Sequence, residues 1–178
     1  PKRYFFRGQS NAEWKLTSSF DREYGSINIE RRIEAEKELI SEFCQYCDRI
    51  SLHGSARPYK ELSDIDKRML AQHSGVPTKL LDWTHSPYIA AYFAFSSIKQ
   101  VDQSKKVSIW ALKKDHPAWK HGNFENKCVT FLEDIMYENQ RQKTQLGCFT
   151  ILNTLDNSLE DYLDTLNKKN EYTKGALI

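Results

Sequence analysis

The sequence predicts an α+β fold, and three observations carry that prediction. Short runs at Arg3–Arg7, Thr78–Trp83, Val107–Leu112 and Cys148–Leu152 read as strands. Apolar residues at helical spacing between Ile29 and Ile50, and again between Ser158 and Leu166, read as amphipathic helices. The stretch from Pro87 to about Ser97 is apolar on nearly every side and reads as a helix buried at the centre. The expected architecture is a central mixed or mostly antiparallel sheet with a buried central helix and flanking helices.

At 178 residues and 39% apolar, the chain is long enough for one domain with a real core, spanning residues 1–178, and too short for two full ones. Charged residues make up 28% and nearly cancel to +2, so the overall field neither requires nor excludes a polyanionic partner. The run around Ile89 to Phe95 is far short of the roughly 20 residues that span a bilayer, and the N-terminus lacks the apolar core of a signal peptide. The chain reads as cytoplasmic, with no membrane partner. It opens without Met and in mid-strand, and Gly175–Ile178 looks like a strand cut short, so an excerpt of a longer chain is expected. Four cysteines are too few and too irregular for a secreted disulfide framework. Cys44 and Cys47 lie in a helical pattern and read as core thiols. His116 and His121 have no acidic or thiol partner at matching spacing, so no metal site is expected.

Taken in order, Arg7 ends the first strand, and Gly8 marks a point where the backbone turns or something approaches closely. Arg7 reads either as a surface or capping cation or as a planar fork that grips phosphate or carboxylate. In the Ile29–Ile50 helix, Ile33, Ile40, Phe43, Cys47 and Ile50 form the expected core stripe, with Leu39, Cys44 and Tyr46 alongside. Glu34, Glu36, Lys37, Glu38 and Glu42 form the expected solvated face. After a loop, Ser63-x-x-Asp66 opens a shorter helix that Gly75 closes in the left-handed conformation, and Pro77 prevents it from resuming. Ser86 caps the Pro87 helix, whose positive end points at Asp82, Thr84 and Ser86 and is able to hold an anion. Val107–Leu112 reads as a strand buried on both faces. His73 reads either as a capping cation or as a general acid or base.

Three motifs now stand in sequence: Phe6-Arg7-Gly8-Gln9, then Gln72-His73-x-Gly75-x-Pro77-Thr78-x-Leu80-Leu81-Asp82-Trp83-Thr84-x-Ser86-Pro87 with Ala91 to Ala94, then Asn139-x-Arg141-x3-Gln145-x-Gly147-x-Phe149. Together they resemble the FRG domain, a bacterial and phage-associated family of defence and toxin-like contexts, from Phe5 to about Ile151. Lys79 stands where that family commonly has Arg. A second resemblance, at the level of the fold, is to ADP-ribosyltransferases, which cleave the nicotinamide glycosidic bond of NAD.

This second resemblance implies NAD as cofactor, catalytic roles for Arg7, His73, Asp82, Ser86 and Gln145, and cofactor contacts from Arg7, Gln9, Thr78, Thr84, Ser86 and Arg141. Arg7 would bind the pyrophosphate or ribose, Thr84 and Ser86 the ribose hydroxyls, and Asp82 would orient a hydroxyl or Arg7 itself. Gln145 or Glu138 would stand beside the positive sugar that forms as nicotinamide leaves. Arg7, the helix N-terminus and Gln145 are thus expected to line one cleft. Three functions stay open: an ADP-ribosyltransferase or NAD glycohydrolase with a nucleic-acid or protein acceptor; a nucleic-acid module using Lys79, Arg141, Lys143, Trp83 and Tyr92; and a non-catalytic sensor of a nucleotide-like ligand or a protein.

Overall fold

In the computed structural model the described residues are 3–49, 61–96, 98, 106–120, 128–133, 146–169 and 173–178. Their elements are β1 (Tyr4–Gln9), α1 (Ser19–Tyr24), α2 (Ile29–Arg49), α3 (Asp64–His73), β2 (Leu80–Thr84), α4 (Pro87–Ser96), β3 (Ser108–Lys113), a 3-10 turn Pro117–Lys120, β4 (Val129–Leu132), β5 (Gly147–Leu152) and α5 (Leu159–Lys168). The strands form one sheet in the order β3-β1-β2-β5-β4. β1 runs antiparallel to β3, from Tyr4 opposite Lys113 to Gln9 opposite Ser108, and β4 is antiparallel to β5. β1 meets β2, also antiparallel, at Phe6 opposite Thr84. The predicted α+β class is what the chain adopts.

The chain divides into two compact units, Thr17–Leu80 and the discontinuous pair Pro1–Leu16 with Leu81–Ile178. The discontinuous unit has a core of Phe5, Leu81, Trp83, Leu112, Trp119, Val129, Cys148, Leu159 and Tyr162, among others. Ser158 caps α5 by accepting from the Asp161 N–H at 3.0 Å. One expectation fails here. Among the described residues β3 is an edge strand of the sheet with Ile109 exposed: β1 pairs along one side, and on the other Ala176 and Ile178 bond to it at Lys113 and Ala111.

α4 is also corrected. It does not lie at the centre of the fold: Ala90 and Ala94 are fully buried, but Tyr88 and Tyr92 are 85% and 68% exposed. The reason is at Gly8. A Cβ built there would stand 1.8 Å from the carbonyl oxygen of Ala90 and 2.7 Å from the nitrogen of Ala94. The helix lies directly on the β1 backbone through its small residues, and its aromatics are left on the outside. Gly8 therefore does not end β1, which continues to Gln9; it is the point of close approach.

In the Thr17–Leu80 unit, Ser63 caps α3 through the Asp66 N–H at 3.1 Å, and Gly75 takes φ +88° to close it, both as predicted. α2 buries the expected stripe at Ile40, Cys44 and Cys47, but Arg32 and Glu36 extend it in place of Ile33. Its stripe is Arg32, Glu36, Ile40, Cys44 and Cys47, whereas Ile33 and Tyr46 are exposed. Glu36 is thus a buried carboxylate, because ion pairing inside the unit offsets its desolvation. Cys44 and Cys47 are buried free thiols, and burial pushes both up, which disfavours the reactive thiolate.

Gly8→Ala should cost about 3 kcal/mol or more in urea unfolding, since the obstruction is backbone. Adding Ala90→Gly should not rescue it, because the carbonyl remains. A second expectation concerns Glu160, whose two oxygens each lie 3.0 Å from the Leu16 N–H. Burial pushes its carboxyl up despite these bonds. Its contribution to stability is therefore full below the ordinary carboxylate value and is lost as pH rises through the raised folded value. Glu160→Gln should gain stability relative to the parent across that window, and a pH-independent difference would contradict the assignment.

Candidate functional site

Arg7 leaves β1 on the side that register assigns to Phe5, Gln9, Trp83 and Trp110, since opposed residues share a face and successive ones alternate. Gly8 and Thr84 belong to the α4 side. The Arg7 guanidinium stays at the β2 strand, where Nη1 donates to the Asp82 carbonyl at 2.6 Å and lies 3.9 Å from the Asp82 carboxylate. The Arg7 side chain is 22% exposed and that of Asp82 60%. This pairing joins two residues singled out in the sequence, and the Asp82 carboxylate is open to solvent rather than buried.

Thr84 and Ser86 form a second pair. The Thr84 hydroxyl accepts from the Ser86 N–H at 3.1 Å, and the Ser86 hydroxyl accepts from the Ile89 N–H at 3.4 Å, which caps α4. Both hydroxyls thus shape the β2–α4 turn. Gln9 is buried, with its carbonyl oxygen accepting from Trp110 Nε1 at 2.8 Å and from the Ser108 hydroxyl at 3.2 Å, and its amide donating to the Lys15 carbonyl. Its polar atoms therefore bond within the domain.

The Thr17–Leu80 unit holds Thr78 and His73. Thr78 is fully buried, with its hydroxyl donating to Gln72 at 2.6 Å and its backbone bonded to Ser19. His73 is the exposed last residue of α3, where a cation is favourable. Glu138, Arg141, Lys143 and Gln145 lie outside the described residues. Leu146, which follows Gln145 in the chain, adopts φ +49°, uncommon for leucine, and its carbonyl accepts from the His85 N–H at 3.2 Å.

His85 leads to a cluster that the sequence reading left unassigned. Its Nε2 lies 3.6 Å from Glu133, whose carboxylate takes Lys114 Nζ at 2.6 and 2.8 Å. The imidazole meets Phe5 edge-on at 5.1 Å, and the Lys114 ammonium sits 5.1 Å over the same ring. The available signal was parity, because His85 is two residues from the buried Trp83. Nothing local in the sequence links it to Lys114 or Glu133. His116, by contrast, is structural: Nδ1 accepts from the Ala118 N–H, so Nε2 is the nitrogen that donates to the Lys174 carbonyl.

The fold and these residues define an α+β domain whose conspicuous polar groups lie on β1 and β2 and in the β2–α4 turn. The FRG domain family model matches residues 2–103, more than half of the 178-residue chain, and the chain belongs to that family. The Asn139–Phe149 motif lies beyond the matched span. Neither the search of curated proteins nor that of solved structures gave a match, so the resemblance to ADP-ribosyltransferases gains no support from them. No helix among the described residues is long and apolar enough to cross a membrane.

The Gln9 bonds make a direct prediction. Gln9→Leu leaves Trp110 Nε1 and the Ser108 hydroxyl without their acceptor and should cost about 1–3 kcal/mol in chemical denaturation. Unchanged stability would contradict this role for the Gln9 bonds.

Proposed function

We propose that this FRG domain binds a phosphate-bearing nucleotide, with NAD the first candidate, and acts on it as an ADP-ribosyltransferase or NAD glycohydrolase in a toxin or phage-defence setting. The observation that supports this reading is the Arg7–Asp82 pair. Arg7, within β1, is held against β2 by the Asp82 carbonyl at 2.6 Å while its side chain stays partly exposed. A guanidinium fixed in this way is pre-organised for two parallel hydrogen bonds to phosphate.

On this reading Arg7 grips the pyrophosphate and the exposed Asp82 carboxylate steadies the sugar as it becomes cationic. The C1′–N bond breaks, nicotinamide leaves with the electron pair, and water or an acceptor nucleophile bonds to C1′ and loses its proton. The resemblance also implies orienting roles for Gln145 and Arg141, which lie outside the described residues. Burial of Trp83, whose Nε1 donates to Thr150, removes it as a stacking platform, and burial of Lys79 removes a phosphate-tracking cation from the nucleic-acid reading.

Labelled NAD tests the proposal. The protein should bind NAD and release nicotinamide, and Arg7→Lys should weaken binding about 10- to 100-fold, the loss of one or two charge-assisted bonds. Absence of both binding and nicotinamide release, with RNA, DNA and protein supplied as acceptors, would overturn it. A steep salt dependence of RNA or DNA affinity would instead favour a nucleic-acid module, and NAD binding without turnover a sensor.

A further inference from the structure

The Thr17–Leu80 unit buries charge where a helix usually buries carbon. On α2, Arg32 and Glu36 stand one turn apart and both are buried. Arg32 pairs with the buried Asp21 of α1 at 3.4 Å. Glu36 accepts from the Arg68 guanidinium at 3.3 and 3.4 Å and from the Lys79 N–H at 3.0 Å. Burial pushes the Asp21 carboxyl up, and the Ser18 hydroxyl and the charges of Lys79 and Arg32 draw it partly back. Among the described residues, two carboxylates thus face three cations, Arg32, Arg68 and Lys79.

Lys79 is the surplus charge. It is only 7% exposed, and the described residues give its Nζ neither a hydrogen bond nor an ion pair. Burying an ammonium without an acceptor is unfavourable, and its three donors are directional. Yet Nζ is not among the polar atoms sealed from solvent. Arg68 keeps one-fifth of its side chain exposed while gripping the carboxylate that accepts from the Lys79 backbone.

We propose that Lys79 is the charged floor of a site for a compact oxyanion, a phosphate or phosphoryl group, within the Thr17–Leu80 unit. The anion would supply the acceptor oxygens that the buried ammonium lacks and bring the charge of the cluster to balance. Asp21 and Glu36, the carboxylates already present, set the selectivity: they repel an anion unless it engages Lys79 directly. The proposal uses residues of this unit alone and does not rest on the NAD reading.

The probe is inorganic phosphate, titrated into the full chain against chloride at equal ionic strength. At ten times its Kd, phosphate should raise the Tm of the parent protein by about 3–5 °C. Lys79→Met should lose that increment, Lys79→Arg should keep it, and Arg7→Lys should keep it whatever becomes of NAD binding. No phosphate-specific rise in the parent would overturn the proposal, leaving Lys79 as a lysine whose stem is covered and whose head is hydrated. An equal rise in Lys79→Met would also overturn it, marking a general ion effect. Should Lys79→Met not fold, the Lys79 13Cε resonance of the parent decides, since it should shift saturably with phosphate and an unmoved resonance defeats the idea.

Discussion

The contact between β1 and α4 at Gly8 is the constraint on which the site-bearing unit depends. A helix can lie on a strand with backbone meeting backbone only where the strand carries no Cβ and the helix presents alanines, and Gly8, Ala90 and Ala94 meet that condition. This crossing sets the height of α4 over the sheet and leaves its aromatics outward. It explains the third letter of the Phe-Arg-Gly motif by packing alone. Arg7, immediately before Gly8, is directed to the opposite side of β1 by strand alternation, so the motif joins a packing residue to a chemical one in adjacent positions.

Two polar systems then carry the features of interest in the unit that contains β1. Arg7 with Asp82 joins β1 to the middle of β2, and His85 with Glu133 and Lys114 lies on the side of Phe5. Both are drawn from residues on or next to the strands, and strands hold side chains more firmly than loops do. The β2–α4 turn between them is fixed by the Thr84 and Ser86 hydroxyls.

The Thr17–Leu80 unit shows a different balance. Its small apolar cluster of Ile40, Cys44, Cys47 and Ala71 adjoins ion pairs that are themselves buried. Such pairs contribute less net stability than carbon of the same volume, because desolvation opposes their attraction, but removing one partner is severe. Arg32, Glu36 and Asp21 therefore constrain geometry more than they add stability.

Much of this protein was legible in its residues because the relevant physics is local. Helix caps at Ser63 and Ser86, the left-handed Gly75 and the α+β class follow from dihedral preferences and short-range hydrogen bonds. The first two motifs were enough for the family. What only the tertiary structure decided was which face each element turns inward. Periodicity locates a stripe of carbon on α2, but Arg32 and Glu36 are buried because partners 11 and 32 residues away in sequence neutralise them. α4 is uniformly apolar and so has no preferred side; Gly8 supplied one. The Arg7–Asp82 contact and the Lys114–Glu133–His85 chain join residues far apart in sequence, and such contacts depend on the strand order, which leaves no local mark.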